Sequence, residues 1–203
     1  MPMRLWFNPA SPFARKVRIV ARETGLEERI EEVGIMVSPV KPYAELAREN
    51  PLVKIPALST ELGTLYDSAV ICEYLDSLHG GQAMFPSAGA ERWRELRLQA
   101  LGDGILDAAV LMRYESAVRP QALQWADWVA GQLGKVKGGV DALERECPGW
   151  AERFAIGEIT AACVLGYLDF RFPGEPWRPG HPALEKWYAV VSRRPSMKAT
   201  APA

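Results

Sequence analysis

Met3-Arg4-Leu5-Trp6-Phe7-Asn8-Pro9-Ala10-Ser11-Pro12-Phe13-Ala14-Arg15-Lys16-Val17-Arg18 is the stretch on which the fold turns. Its first five residues form a short apolar run suited to a buried strand, and Asn8 to Ser11 read as a loop. From Pro12, a favoured first helical residue, Phe13, Val17, Val20, Ala21 and Thr24 recur at helical spacing, and Gly25 is placed to end the helix. This β–α opening is continued by a strand over Ile30 to Val37, a short helix or irregular turn over Tyr43 to Arg48, and a hairpin of Ile55 to Ser59 with Thr64 to Tyr66. A helix follows over Ser68 to Leu78. The order describes a small mixed sheet with helices against it.

Beyond Gly80-Gly81 and Pro86-Ser87-Ala88-Gly89 every long segment has the 3.6-residue period. One helix carries Trp93, Leu96, Ala100, Leu101, Ile105, Ala108, Leu111 and Met112, and a second carries Leu123, Trp128, Val129, Leu133, Val136, Val140 and Leu143. A third near Ala161 to Phe172 and a fourth near Pro182 to Arg193 complete an all-helical half. The expected organisation is an α/β domain over 1–79, a linker over 80–89 and an all-helical domain over 90–203.

Composition narrows the partners. The 203 residues are 48% hydrophobic and 24% charged, ordinary for a globular protein. With 24 basic and 25 acidic side chains the net charge is −1, which gives no electrostatic reason to expect nucleic acid or an anionic membrane. No window approaches the ~18–20 apolar residues of a membrane span, and the start lacks the pattern of a secretion signal, so a cytoplasmic location is expected. Three scattered cysteines and two histidines argue against a disulfide framework, a zinc site or a thioredoxin-type redox pair.

Three places invite chemistry. Ser11 precedes a helix whose first N–H groups and dipole favour an anion, although a serine there also serves simply as a cap. Arg15 and Lys16 in the first turn oppose the dipole unless something negative lies nearby. Pro56 begins a strand, where it fits an edge or a cis bond; sequence alone favours an ordinary trans proline, whereas a cis bond would expose Ile55 backbone for strand-like pairing with a peptide. Asp67-Ser68 sits where a strand gives way to a helix. Either residue can cap it, and together they offer receptors for an ammonium and a carboxylate.

Taken with their neighbours, these residues resemble the glutathione transferase superfamily. The segments that carry the likeness are Ser11 to Arg18, Asn50-Pro51-Leu52-Val53-Lys54-Ile55-Pro56-Ala57-Leu58, Asp67 to Leu75, Gly157 to Leu168 and Arg194-Pro195-Ser196. Among its members the chain is similar to the small bacterial serine-type ones. The resemblance implies a thioredoxin-like domain followed by a helical bundle, a homodimer, glutathione as co-substrate with no metal, and a small hydrophobic electrophile held between the domains. It implies Ser11 as the catalytic hydroxyl on the glutathione sulfur, Ile55 and cis-Pro56 on the cysteinyl part, and Asp67 with Ser68 on the γ-glutamyl end. Lys54, ahead of Lys41, would face the glycine carboxylate. Asp103 would reach glutathione in the partner subunit, and Phe13, Asp107, Leu111 and Tyr114 would border the electrophile.

The resemblance also implies the activity: conjugation in detoxification, with peroxide reduction as a side reaction. A glutathione-binding or scaffold protein without catalysis is the alternative. Serine rather than cysteine at position 11 disfavours mixed-disulfide chemistry. Thr160-x-x-Cys163 departs from the family's Ser/Thr-x-x-Asp capping box, which predicts a weaker helix start there.

Overall fold

The computed structural model describes residues 3–150 and 154–203. By packing these fall into two units, Met1–Trp93 with Pro195–Ala203, and Arg94–Arg194.

The first unit is built on a four-stranded mixed sheet ordered β2-β1-β3-β4, where β1 is Met3–Phe7, β2 Ile30–Gly34, β3 Ala57–Thr60 and β4 Gly63–Leu65. β1 runs parallel to β2 and antiparallel to β3, which runs antiparallel to β4. Side chains alternate faces along a strand. Trp6 and Ala57, opposite each other in register, share a cluster with Ile35 and Leu46 of helix α2 (Ala44–Glu49). Leu5 and Leu58, the next opposed pair, are fully buried on the other face. Helix α1 (Pro12–Glu23) packs against α3 (Ser68–Asp76). α1 ends as expected: Gly25 takes φ +67°, and the Leu26 N–H returns to the Ala21 carbonyl at 2.7 Å.

Several boundaries differ from the sequence reading. β2 stops at Gly34 rather than Val37, and β3 begins after Pro56, which has no N–H to place in a ladder. The stretch 79–88 is a largely exposed loop anchored at Met84 and Phe85. The Asp76 carboxylate, at the end of α3, accepts the Met84 and Phe85 N–H groups at 2.8 and 3.0 Å, and both side chains are buried. Helix α4 (Gly89–Ala117) already starts at Gly89. The closing residues, which the sequence reading assigned to the helical domain, pack with the first unit through an unexpected helix α8 (Pro195–Ala199), seated on α1.

The second unit contains most of α4, with α5 (Ala126–Glu146), α6 (Ile156–Arg171) and α7 (Pro182–Val191). α6 is mostly apolar and buried without a break from Ile156 to Leu168, Glu158 and Thr160 included, as a central helix must be. Its neighbours approach closely. A Cβ on Gly157 would stand 2.7 Å from Leu98 of α4, and between α4 and α5 one on Gly139 would run into Ile105.

α6 begins one turn before the expected Thr160. Thr160 is interior and buried, its hydroxyl donating to the Ile156 carbonyl at 2.7 Å. Capping falls to acidic residues instead: Glu158 accepts the Ala155 N–H at 3.1 Å, and Glu95 of α4 accepts the Gly157 N–H at 2.9 Å. Arg94 binds both carboxylates, meeting Glu158 at 2.8 Å. Cys163 therefore has no capping duty, and the expected weak start does not arise. On α4 the apolar stripe is also redrawn: Trp93 and Leu111 are exposed, while Leu98, Leu106 and Met112 face the core.

Candidate functional site

The loop that delivers Ser11 is organised by Asn8. Its amide donates to the Ile35 carbonyl at 2.8 Å and its oxygen accepts the Ala10 N–H at 2.9 Å, while its own carbonyl accepts the Ser11 N–H. Ser11 then caps α1, its Oγ accepting the Ala14 N–H at 3.2 Å. An oxygen engaged as acceptor keeps its hydrogen free to donate, and polarisation by the backbone N–H makes it a better donor. Pro12 has no N–H, and the Ala14 and Arg15 N–H groups go to Ser11. The Phe13 N–H is left at the helix end with no intrahelical acceptor.

A second Asn-Pro loop supports the strand start. Asn50 is fully buried, donates to the Lys54 carbonyl at 2.9 Å and accepts the Leu52 N–H at 3.0 Å. The chain between turns through Val53 at φ +51°, an uncommon conformation for a β-branched residue. It then enters Ile55-Pro56, whose peptide bond is cis. The Asn8-Pro9 and Asn50-Pro51 pairs are legible in the sequence as a loop and a helix stop, but not the role of either side chain in holding its loop. Asn50→Ala removes two buried hydrogen bonds and is expected to lower unfolding free energy by about 1–3 kcal/mol in urea titration.

At the third place Asp67 caps α3 by accepting the Ala69 N–H at 2.9 Å; it is exposed, whereas Ser68 is buried. Sheet register puts the three places at the same end of the sheet. β1 ends beside the start of β3, β4 ends beside that same start, and parallel β2 ends alongside β1. Ser11, Lys54 to Pro56, and Asp67-Ser68 thus leave one end of the sheet, as does the loop holding Lys41. Both lysines are exposed.

The basic side chains after Ser11 are engaged within the first unit. Arg15 is buried and donates to the Met197 carbonyl at 3.2 Å, with Nε and Nη1 unpartnered. Arg18 binds Glu32 at 2.7 Å, and Arg22 lies 3.6 Å from the same carboxylate. Among the remaining expected residues, Phe13, Asp103 and Tyr114 are half-buried, and Asp107 and Leu111 are exposed on α4.

Among the described residues no cluster of three His, Cys, Asp or Glu side chains is placed to hold a metal, and no helix is long and apolar enough to cross a membrane. All three cysteines are buried, and burial, helped by Glu144, pushes the Cys147 thiol up to about 11. The folded protein is expected to resist a thiol reagent at neutral pH, and all three cysteines to react after unfolding. Rapid labelling of the folded chain would contradict this.

Residues 10–78 match the family described as glutathione S-transferase, N-terminal domain, and residues 126–189 its C-terminal domain. A glutathione transferase family member from Pseudomonas fluorescens Pf-5, solved with bound glutathione, is 48% identical over 99% of both chains with a TM-score of 0.97. The chain belongs to the glutathione S-transferase family. A glutathione S-transferase from Methylobacillus flagellatus, solved with glutathione bound, is 35% identical over 99% of this chain and 100% of that one, with a TM-score of 0.90. YibF of Escherichia coli K12, described as an uncharacterized GST-like protein, is 34% identical over 98% of each chain. The first unit accordingly has the thioredoxin-like βαβαββα order of this family, and the second its helical bundle.

Proposed function

We propose that this family member is a cytoplasmic, homodimeric glutathione transferase. Its Ser11 hydroxyl donates to the glutathione sulfur and holds it as a thiolate for attack on a small hydrophobic electrophile. The observation that carries the reading is the Ser11 hydroxyl at the start of α1, with its oxygen already accepting a backbone N–H. A free thiol with pKa near ~8.5 is mostly protonated at neutral pH, and the enzyme must favour its charged form. In this reading Ile55 pairs by its backbone with the cysteinyl residue beside Pro56, Lys54 faces the glycine carboxylate, and Asp67 with Ser68 receives the γ-glutamyl end. Phe13, Asp107, Leu111 and Tyr114 border the electrophile. Peroxide reduction is a side reaction of the same thiolate.

The dimer reading rests on exposed apolar side chains in the first unit. Val70 of α3 and Trp93 of α4 stand at 48% and 69% exposure beside the Glu73–Arg92 ion pair at 2.9 Å. Asp103 in this arrangement reaches the γ-glutamyl ammonium bound by the partner subunit. Sedimentation analysis checks the stoichiometry.

The decisive experiment is a glutathione titration that follows the ultraviolet thiolate band together with turnover on a panel of halides, epoxides, enones and peroxides. Absence of binding removes the reading. Binding without a thiolate or turnover leaves a glutathione-binding module. Ser68→Ala is expected to weaken glutathione binding roughly 10- to 100-fold, by loss of a charge-assisted bond worth about 1.5–3 kcal/mol. Calorimetric affinity equal to that of the parent protein would remove Ser68 from the site.

A further inference from the structure

The helical unit holds a cavity of about 270 Å³ lined entirely by its own residues, none of which belongs to the site proposed above. Its apolar walls are Met112 of α4, Val136 and Val140 of α5, Leu168 and Phe172 at the end of α6, and Trp177. The volume is well above the ~150 Å³ that takes a single benzene ring and just under the ~300 Å³ at which drug-sized pockets begin. Trp177 presents hydrocarbon only, because its single polar atom donates to Asp169 at 2.8 Å. The loop carrying Trp177 is fastened from outside as well, Arg178 making two bonds to Asp169 at 2.6 and 2.8 Å and lying 4.4 Å over the indole ring.

The rim decides what charge an occupant carries. Lys137 of α5 pairs with Glu175 at 3.1 Å, and Asp141, one turn on, meets His181 at 2.8 Å. Glu175 and Asp141 each already have a partner at the rim and the walls beneath are apolar, so a charged guest seated there would give up its hydration for no free counter-charge. A neutral guest would not. The Lys137 ammonium has three N–H donors and uses one on Glu175, leaving donors for a ligand oxygen. We propose that this cavity binds a neutral, planar molecule of one or two rings, with a hydroxyl or carbonyl oxygen at the Lys137 rim, independently of glutathione.

The test uses the whole protein and 2-naphthol, a neutral two-ring compound with one hydroxyl. Methionine methyl groups labelled with ¹³C provide the readout, with the Met112 signal assigned through Met112→Leu. Met112 lines the cavity, while Met3 and Met84 are buried in the other unit and serve as internal controls. The expected result is a saturable, one-to-one shift confined to the Met112 methyl, unchanged when S-hexylglutathione saturates the glutathione site.

Val136→Phe and Val140→Phe each fill the cavity. Whichever folds, judged by thermal unfolding and an intact glutathione response, is expected to weaken the probe about tenfold or more. The proposal is overturned if 2-naphthol does not bind. It is equally overturned if it binds without moving Met112, or if S-hexylglutathione displaces it. Because the methyl readout uses unaltered core residues, the test stands even if neither filled variant folds.

Discussion

Ser11→Ala is expected to lower thiolate formation and conjugation at neutral pH roughly 10- to 100-fold while glutathione affinity stays within several-fold. The size follows from comparing contributions. Each unit by which the thiol pKa falls requires about 1.4 kcal/mol of preference for the thiolate. A hydrogen bond to a charged group contributes about 1.5–3 kcal/mol, whereas a helix N-terminus contributes about 0.3–1 kcal/mol and rarely ~2. The hydroxyl is therefore the larger share, and the helix end alone leaves a residual activity. Binding is spread over the rest of the tripeptide and changes little. Because Ser11 also caps α1 through Ala14, the alanine variant loses about 0.5–2 kcal/mol of stability as well. Ser11→Thr keeps both hydroxyl and cap and is expected to restore most of the thiolate. Measuring the thiolate band against pH, with kcat/KM for one reactive halide, checks the pair. Undiminished turnover in Ser11→Ala would transfer activation to the Phe13 N–H, since the Arg15 guanidinium is turned to Met197.

Arg94→Met is expected to produce the largest loss of stability, about 3–5 kcal/mol. Glu95 and Glu158 are both fully buried at the start of α6, and Arg94 is the guanidinium that binds the two of them. Removing it leaves two buried carboxylates without their shared guanidinium, although the Gly157 and Ala155 N–H groups still donate to them. Breaking a buried pair costs far more than the pair contributes, because the remaining charge is uncompensated. The double variant Arg94→Met with Glu158→Gln relieves one of the charges and is expected to recover part of the loss. Urea unfolding of the parent, single and double variants tests both statements. A single variant within 1 kcal/mol of the parent, on the scale of an exposed ion pair, would show that water reaches the cluster.

What was legible in the sequence depended on range. The opening strand, α1 with its proline start and glycine end, the hairpin and the caps at Ser11 and Asp67 are local devices, fixed by residues within a few positions of one another. The errors came where a distant residue took over. α6 was placed late because Thr160 looked like a cap, yet its N-terminus is held by Glu95, some sixty residues away, which no local pattern announces. Arg15 belongs to the first turn of α1, yet its guanidinium is buried against the Met197 carbonyl, contributed by the far end of the chain. Trp93 and Leu111 fit the helical period and still lie outside, since a period identifies a stripe without saying that anything covers it.

By itself the sequence determined the order of elements, the family resemblance and the three short segments at which glutathione chemistry is proposed, because each is written in neighbouring residues and backbone preference. Only the tertiary structure decided that those segments leave one end of the sheet, that Asn8 and Asn50 hold the loops delivering them, that the closing residues pack on α1, and that the helical unit contains a pocket lined by Trp177. Strand register and side-chain packing join residues far apart along the chain, and such pairings follow from how faces fit together rather than from any local pattern.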